Sequence, residues 1–135
     1  MSPAASQALS FGSLAAYEDG HRLAESSGGS VYNSGTGIAE YIRFRDQYVD
    51  GDGAYGVASH QARQWGCNPG TQICYYAWRG VYVDETNRFG TASGWQVHTL
   101  SESGHGAVDW KTRPQVCVDQ GFEPDACGTG TYLNP

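Results

Sequence analysis

The residues of this 135-residue chain that could carry catalysis are its serines, histidines and carboxylates. A serine or cysteine hydrolase needs a nucleophile, a base and an orienting acid within mutual hydrogen-bond reach. No serine stands in a Gly-x-Ser-x-Gly elbow. The candidate bases are His21, His60, His98 and His105. None of them has a local signature of a catalytic base, so the pattern does not favour a hydrolase triad.

Paired carboxylates are the second candidate chemistry, because glycosidases place two carboxyl groups across a cleft. The acidic residues on or beside predicted strands are Glu40, Asp84, Glu85, Glu102 and Asp109. The chain is short for a cleft of the necessary depth. We therefore expect a protein that is not an enzyme.

Four cysteines in a small, glycine-rich chain indicate two disulfide bonds and an oxidising compartment. Zinc is not favoured, since no Cys-x-x-Cys motif occurs, and we expect no metal or cofactor. Four cysteines allow three pairings. The pairing of neighbours, Cys67 with Cys74 and Cys117 with Cys127, is favoured because each pair flanks a turn-rich loop.

The charge of the chain limits its partners. The formal net charge is −6, whereas a protein that binds the phosphate backbone of nucleic acids needs a basic face. No apolar run is long enough to cross a membrane, and the first residues lack the basic and apolar parts of a signal peptide. We expect a mature secreted chain with no nucleic-acid partner and no membrane insertion.

The aromatic residues are more numerous than a small core requires, with nine tyrosines and four tryptophans. Neighbours in a strand, such as Tyr75 and Tyr76, must point to opposite faces. We therefore expect some aromatic side chains at the surface, where they suit sugar stacking or protein contacts. The candidates are Trp65, Tyr76, Trp78 and Trp95.

The elements that must position these residues are predicted to be short β-strands. The stretch Trp65 to Trp78 contains Asn-Pro-Gly-Thr, a tight-turn signal, between two aromatic and β-branched runs. Alternating apolar and polar residues follow the same strand period at Ile38 to Val49 and at Trp95 to Leu100. The pattern predicts an all-β fold, a single antiparallel β-sandwich or jelly-roll-like domain over residues 31–135.

Residues 1–30 have a different composition, rich in Ala, Ser and Gly and without Trp or Cys. Residues 13–24 have some helical periodicity, and residues 26–30 (Ser-Ser-Gly-Gly-Ser) have the composition of a flexible linker. We expect a loosely attached arm. It would dock on a partner through the apolar side chains of Leu9, Phe11, Leu14 and Tyr17.

From Ile42 to Cys127 the chain resembles the small two-disulfide proteins secreted by actinobacteria. The matching features are Asp46-Gln-Tyr-Val-Asp50-Gly-Asp-Gly53, Tyr55 and Val57, and the closing Val116-Cys-Val-Asp119 with Pro124-Asp-Ala-Cys127. The resemblance implies a β-sandwich without catalytic residues. Some similar chains are adaptors in umbrella toxin particles, where they link a lectin-bearing subunit to a toxin stalk.

These observations favour a secreted, non-catalytic adaptor that docks another protein through its N-terminal arm and holds a larger extracellular assembly together, for example a toxin complex. One alternative is a carbohydrate-binding module that stacks sugars on Trp65, Trp78, Trp95 and Tyr76. A third is a secreted protease inhibitor whose reactive loop is the tip Asn68 to Gln72, preorganised by the disulfide.

Overall fold

The computed structural model of the protein describes residues 7–48, 53–121 and 123–135. These residues form a β-sandwich-like fold of two antiparallel sheets, which confirms the predicted fold class. The strands are β1 (Gln7–Phe11), β2 (Leu14–Glu18), β3 (His21–Asn33), β4 (Gly37–Asp46), β5 (Ala54–Cys67), β6 (Cys74–Glu85), β7 (Gln96–Ser103), β8 (Ala107–Val118) and β9 (Ala126–Thr129). Asp50-Gly-Asp-Gly53, a hairpin-turn signal in the sequence between β4 and β5, lies outside the described residues except for Gly53.

The two sheets have different edges. In the first sheet the order is β1-β3-β4-β7. Strand β2 pairs with residues 21–26 of β3, along the same edge of β3 on which β1 pairs with residues 29–33. In the second sheet the order is β6-β5-β8-β9. Strand β7 contacts β5 and β6, while β2 contacts β9. The edge strand β6 therefore lies beside β7, and β1 and β2 lie at the opposite edge of the sandwich.

The core lies between the sheets and follows the period-two pattern of the strands. In β4, Ile42 and Phe44 are fully buried while Tyr41 and Arg43 are exposed. Phe44 packs with Leu23 of β3 and other apolar residues of both sheets. A second cluster surrounds Trp110 of β8. The alternation predicted for this stretch is confirmed.

The expectation of a loose arm over residues 1–30 is not met for the described part of that segment. Residues 14–24 form strands of an antiparallel hairpin rather than a helix. Its turn is Asp19-Gly20, where both residues have positive φ (49° and 77°), as hairpin turns of this length require. Leu23 and Ala24 then enter the core.

The expected Ser/Gly linker is the middle of β3. Gly28 has a φ of 99° at a β-bulge, a conformation that other residues rarely adopt. A Cβ added to Gly29 would stand 1.8 Å from the carbonyl oxygen of Tyr41 on β4. The two glycines therefore let adjacent strands bend and approach, and do not provide a flexible tether.

Both disulfides have the predicted pairing, Cys67 with Cys74 and Cys117 with Cys127. Cys74 begins β6, which runs without interruption through Gly80 to Glu85. Strand β8 likewise continues through Pro114. The C-terminal tail contributes β9, which the second disulfide joins to β8.

Candidate functional site

The hairpin of β5 and β6 extends beyond the neighbouring strand. Pairing of β5 with β8 ends at Gln64 and Ala107, whereas pairing of β5 with β6 continues to Cys67 and Cys74. Residues 65–76, which we call the finger, therefore form a two-stranded projection from the second sheet. An isolated two-stranded ribbon is marginally stable in water. The disulfide between Cys67 and Cys74 closes this one.

Hydrogen bonds order the tip of the finger. The Asn68 amide donates to the Ile73 carbonyl (2.8 Å), and the Gln72 amide donates to the Asn68 carbonyl (2.7 Å). The side-chain oxygen of Asn68 accepts from the Gly70 amide (2.9 Å), which is an Asx-type turn. The tip is thus a closed turn, unlike the extended segment that a protease binds.

The finger exposes large apolar side chains on both faces. The exposed fractions are 58% for Trp65, 61% for Ile73, 47% for Tyr75 and 43% for Tyr76. Trp65 and Tyr76 are directly opposite in the register and make an edge-to-face contact, with ring centroids 5.0 Å apart. Tyr75 lies under the Arg79 guanidinium on the other face.

The sequence on both sides of the finger is basic, whereas the chain as a whole is acidic. From Gln61 to Val83 the sequence contains Arg63 and Arg79 and no acidic residue. Arg79 donates from Nε to the Gln64 carbonyl and from Nη2 to the Tyr75 carbonyl, both at 3.2 Å. The guanidinium is therefore fixed at the base of the finger, where it offers a positive charge to a ligand.

The other two predicted surface aromatics are half-buried and covered by cations. Lys111 Nζ lies 4.7 Å from the centre of the Trp78 ring. The guanidinium carbons of Arg43 and Arg45 lie 3.9 and 4.6 Å from the Trp95 ring. Such cation–π contacts occupy the ring faces on which a sugar would stack. The structure therefore brings only Trp65 and Tyr76 of the predicted four together as open aromatic surface.

The apolar residues assigned to the arm are divided between surface and core. Leu9 and Tyr17 are exposed. Phe11 and Leu14 pack against the core. Tyr17 accepts a hydrogen bond from Arg22 Nε (3.2 Å), which places it in a polar surface cluster. The four side chains thus do not form one docking stripe.

Four ionisable residues meet where β6 lies beside β7, and we call this group the ionisable seam. Asp84 on β6 lies close enough to Glu102 on β7 for that carboxyl group to raise the pKa of Asp84. His60 on β5 is fully buried, with Nε2 3.5 Å from Asp84 Oδ2. His105, in the turn after β7, has Nε2 3.0 Å from Glu102 Oε2. The sequence identified these groups singly, but its local patterns did not place them together.

Burial controls protonation in and near the seam. Loss of hydration raises the pKa of Asp84 to about 6, and the neighbouring Glu102 contributes in the same direction. Loss of hydration lowers the pKa of His60 to about 4, so its imidazole is neutral near pH 7. Glu40, buried on the inner face of β4, has its pKa raised to about 8 by burial. Its two carboxyl oxygens have no hydrogen-bond partner among the described residues.

A shallow depression of about 470 Å³ lies on the first sheet. Ala39 lies opposite Tyr32 in the register and two residues from Tyr41 on the same strand. Both tyrosines are exposed. The hydroxyl-bearing residues of the lining are Ser34, Ser101, Ser103 and the two tyrosines. This is a second place where exposed aromatic rings and hydrogen-bonding groups occur together.

No known protein family matches the sequence, and no curated protein or solved structure is significantly similar to it. The described residues include no helix long and apolar enough to cross a membrane. Residues 7–48, 53–121 and 123–135 contain no group of three or more His, Cys, Asp or Glu side chains that could hold a metal ion.

Sequence reasoning did not select Ile73 or Tyr75 as site residues. Ile73 lies in the small loop closed by Cys67 and Cys74. An apolar side chain in such a loop at the tip of a projecting hairpin cannot reach the core. The exposure of Ile73 could therefore have been predicted from the sequence. The projection of β5 and β6 beyond β8 could not be predicted, because it depends on where β8, a strand distant in sequence, begins.

Proposed function

We propose that this protein is a secreted, non-catalytic module that binds another extracellular protein by inserting its finger into an apolar cleft. The observation that carries the proposal is the exposure of Trp65, Ile73, Tyr75 and Tyr76 on a ribbon closed by a disulfide. Aromatic side chains dominate the binding energy of many protein interfaces. A ribbon that is already ordered loses little conformational entropy when it binds.

The charge beside the finger indicates the chemistry of the partner. Arg63 and Arg79 flank the apolar side chains, and an acidic rim around an apolar cleft would complement them. The cleft must admit a two-stranded ribbon, because the apolar side chains occupy both of its faces.

An adaptor needs a second contact, and the edge formed by β1 and β2 is our candidate. It carries Leu9 and Tyr17 and lies across the sandwich from β6, to which the finger belongs. Contacts at opposite edges allow one domain to bridge two subunits. The resemblance to secreted actinobacterial proteins, some of which are adaptors in toxin particles, supports an assembly of this kind.

The test compares finger variants with a matched surface tyrosine. Culture supernatant is passed over the immobilised protein, the Trp65→Ala/Tyr76→Ala variant and the Tyr41→Ala variant. Tyr41 has the same exposed fraction as Tyr76, 43%, but lies on the other sheet. We expect a protein that the wild type and Tyr41→Ala retain and the double variant loses. The captured protein is then purified and titrated against all three.

Equal affinity of the purified partner for the wild type and the double variant would refute the proposal, provided that their melting temperatures agree. Strong inhibition of a protease by the wild type would instead favour the inhibitor alternative.

Glycan binding is the second candidate function, and the depression beside Ala39 favours it. Tyr32 and Tyr41 offer exposed rings, and serine hydroxyls lie around them. A glycan array tests this function separately from the first, since Tyr41→Ala should abolish a glycan signal and Trp65→Ala should preserve it. The opposite pattern would assign the glycan to the finger.

A further inference from the structure

Two valines and two cations lie side by side on one face of the second sheet. On β5, Gln61 pairs with both Val81 of β6 and Lys111 of β8. The β5 residue two positions earlier pairs in the same way with Val83 and Arg113. Residues directly opposite in antiparallel strands share a face of the sheet. We call Val81, Val83, Lys111 and Arg113 the outer patch.

Burial places the outer patch on the outside of the sandwich. His60 of β5 and Thr112 of β8 alternate with the β5 and β8 residues of the paired rows, and both are fully buried. Successive side chains of a strand point to opposite faces. The exposed fractions of Val81 and Val83 are 54% and 57%. The patch is therefore an apolar row beside a cationic row, open to solvent.

The two cations of the outer patch have no anionic partner. Neither forms an ion pair or donates a hydrogen bond to another described residue, and Arg113 Nε is buried without a partner. Lys111 Nζ lies 4.7 Å from the Trp78 ring centre and 5.1 Å from that of Tyr132, and Arg113 lies 5.4 Å from Tyr132. The rings hold the cations in place, while their N–H donors remain available to a carboxylate.

The carboxylates that border the outer patch are engaged elsewhere. Asp109, two residues before Lys111 on β8, accepts hydrogen bonds from Asn33 (2.7 Å) and Asn134 (3.1 Å). Glu85, two residues after Val83 on β6, pairs with Arg88 at 3.1 Å. The fold thus leaves two positive charges uncompensated in a chain whose net charge is −6.

The chemistry of the outer patch favours a polypeptide ligand. A cation covers the Trp78 ring on which a sugar would stack, and exposed valines offer nothing to sugar hydroxyl groups. A second copy of this chain carries the same net charge of −6, which disfavours association. An acidic segment with apolar side chains complements both rows.

We propose that the outer patch binds an acidic polypeptide segment, whose carboxylates contact Lys111 and Arg113 and whose apolar side chains cover Val81 and Val83. The two rows lie two strands apart, about 9–10 Å, so the segment presents carboxylates on one flank and apolar groups on the other. The outer patch continues into the finger, because Trp78 is two residues from Tyr76 on the same strand. The source of the segment rests on the proposed function: it belongs to the protein that accepts the finger.

A labelled synthetic peptide of alternating Glu and Leu tests the outer patch without any natural partner. Fluorescence anisotropy gives its affinity for the whole protein at low and high salt. We expect binding that weakens as salt increases, because salt screens exposed charges. The same measurement is made with a peptide of alternating Lys and Leu, which should not bind.

Two double variants separate the contributions of the rows. Lys111→Gln/Arg113→Gln should weaken binding about fivefold or more and reduce its salt dependence, because two surface ion pairs are lost. Val81→Thr/Val83→Thr keeps the shape of both side chains and should weaken binding about threefold or more, because apolar contact is lost. Melting temperatures establish that each variant is folded.

Matched controls come from the first sheet. Arg22→Gln/Arg43→Gln removes the same charge from two exposed arginines, and Val97→Thr alters a valine that is 67% exposed. Both controls should bind the peptide like the wild type. An equal loss in Arg22→Gln/Arg43→Gln, or no loss in Lys111→Gln/Arg113→Gln, would overturn the proposal.

Two further measurements address other occupants of the outer patch. Heparin that binds more tightly than the peptide, with no effect of Val81→Thr/Val83→Thr, would assign the patch to an anionic polysaccharide and overturn the proposal. Self-association in analytical ultracentrifugation that Lys111→Gln/Arg113→Gln abolishes would assign it to a second copy, with the same consequence.

The finger and the outer patch can fail separately. Trp65→Ala/Tyr76→Ala should lose the captured protein and retain the peptide. Peptide binding as expected, with a finger that captures nothing, would support the outer patch and refute only the proposed function. A protein captured through the finger that binds the wild type and Lys111→Gln/Arg113→Gln equally would count against the outer patch alone.

Discussion

Trp65 on β5 and Tyr76 on β6 face each other across the finger, with ring centroids 5.0 Å apart and an interplanar angle of 69°. Edge-to-face pairs contribute about 0.5–1.5 kcal/mol, and both side chains are exposed at the surface. We therefore expect Trp65→Ala to lower the free energy of unfolding by about 1 kcal/mol or less. Urea unfolding measures this value. A loss of several kcal/mol would show that Trp65 supports the fold and is not a free binding group.

The two disulfides should have separable effects. Cys67→Ala/Cys74→Ala removes the clamp of the projecting ribbon, at a cost of about 2.5 kcal/mol by the chain-entropy estimate. Cys117→Ala/Cys127→Ala removes a disulfide that closes a loop of similar length, but Cys117 is also buried beside Tyr55 and Val57. We expect a larger loss of stability from the second pair, and a larger loss of partner affinity from the first. Thermal unfolding and titration of the partner distinguish them, and identical effects would contradict the assignment.

Residues 7–33 should be essential to the fold. Phe11 packs against both core clusters, whereas Leu9 on the same strand is exposed. We expect Phe11→Ala to reduce the free energy of unfolding by about 1–3 kcal/mol, less than a full core truncation because the ring is partly buried. Leu9→Ala is the matched control and should have little effect. Equal small effects in urea unfolding would restore the view of this segment as an arm.

Gly29→Ala should disrupt the first sheet. The added methyl group would meet the Tyr41 carbonyl and the Phe11 ring, and the backbone carbonyl cannot rotate away. We expect a loss of more than about 2 kcal/mol, in the range of overpacked cores. Gly12→Ala is the control, since nothing lies within 4 Å of a Cβ there. Circular dichroism on heating compares the two.

Glu40 should make the protein less stable as the pH rises. Its pKa is about 8 in the folded state and about 4.5 in the unfolded state, so folding favours the protonated form. The stability that its protonated form provides is complete below about pH 4.5 and is lost as the pH rises toward 8, by about 1.4 kcal/mol per unit. Glu40→Gln should remove most of this slope. Urea unfolding at several pH values tests it, and parallel curves for wild type and variant would contradict the prediction.

His60 acts in the opposite direction at lower pH. Its pKa falls from 6.5 to about 4 on folding, so stability is lost as the pH decreases from about 6.5 to 4. Between about pH 4.5 and 6.5 this gain with rising pH offsets the loss that Glu40 causes, and Asp84 adds a further loss up to about pH 6, so the three groups together predict a stability maximum near pH 4.5. A His60→Gln variant should lose stability more steeply than the wild type between about pH 4.5 and 6.5.

The sequence alone determined the fold class and the pairing of the cysteines. Alternation at Ile42, Arg43 and Phe44 is a local property of a strand with one buried face, so it can be read without coordinates. Cys67 and Cys74 flank a Pro-Gly turn, and a short loop brings them together whatever the rest of the chain does. The exposure of Trp65 and Tyr76 could also be expected from the sequence, because both residues belong to the same local hairpin.

The tertiary structure determined the conformation of residues 7–33. The composition of residues 26–30 is that of a linker because Gly28 and Gly29 lack side chains, but they are needed for a bulge and for close approach to Tyr41. The composition of a segment does not show which strand will lie next to it in the folded protein. The same limit explains why the helical periodicity of residues 13–24 was misleading.

Tertiary structure also decided which groups form the sites. Cations from other strands lie over the rings of Trp78 and Trp95, so these rings do not provide open aromatic surface. Asp84 and Glu102 belong to different sheets, and they interact because those sheets stack with β6 beside β7. Local sequence specifies which face a side chain takes, whereas contacts between strands distant in sequence depend on the packing of the whole sandwich.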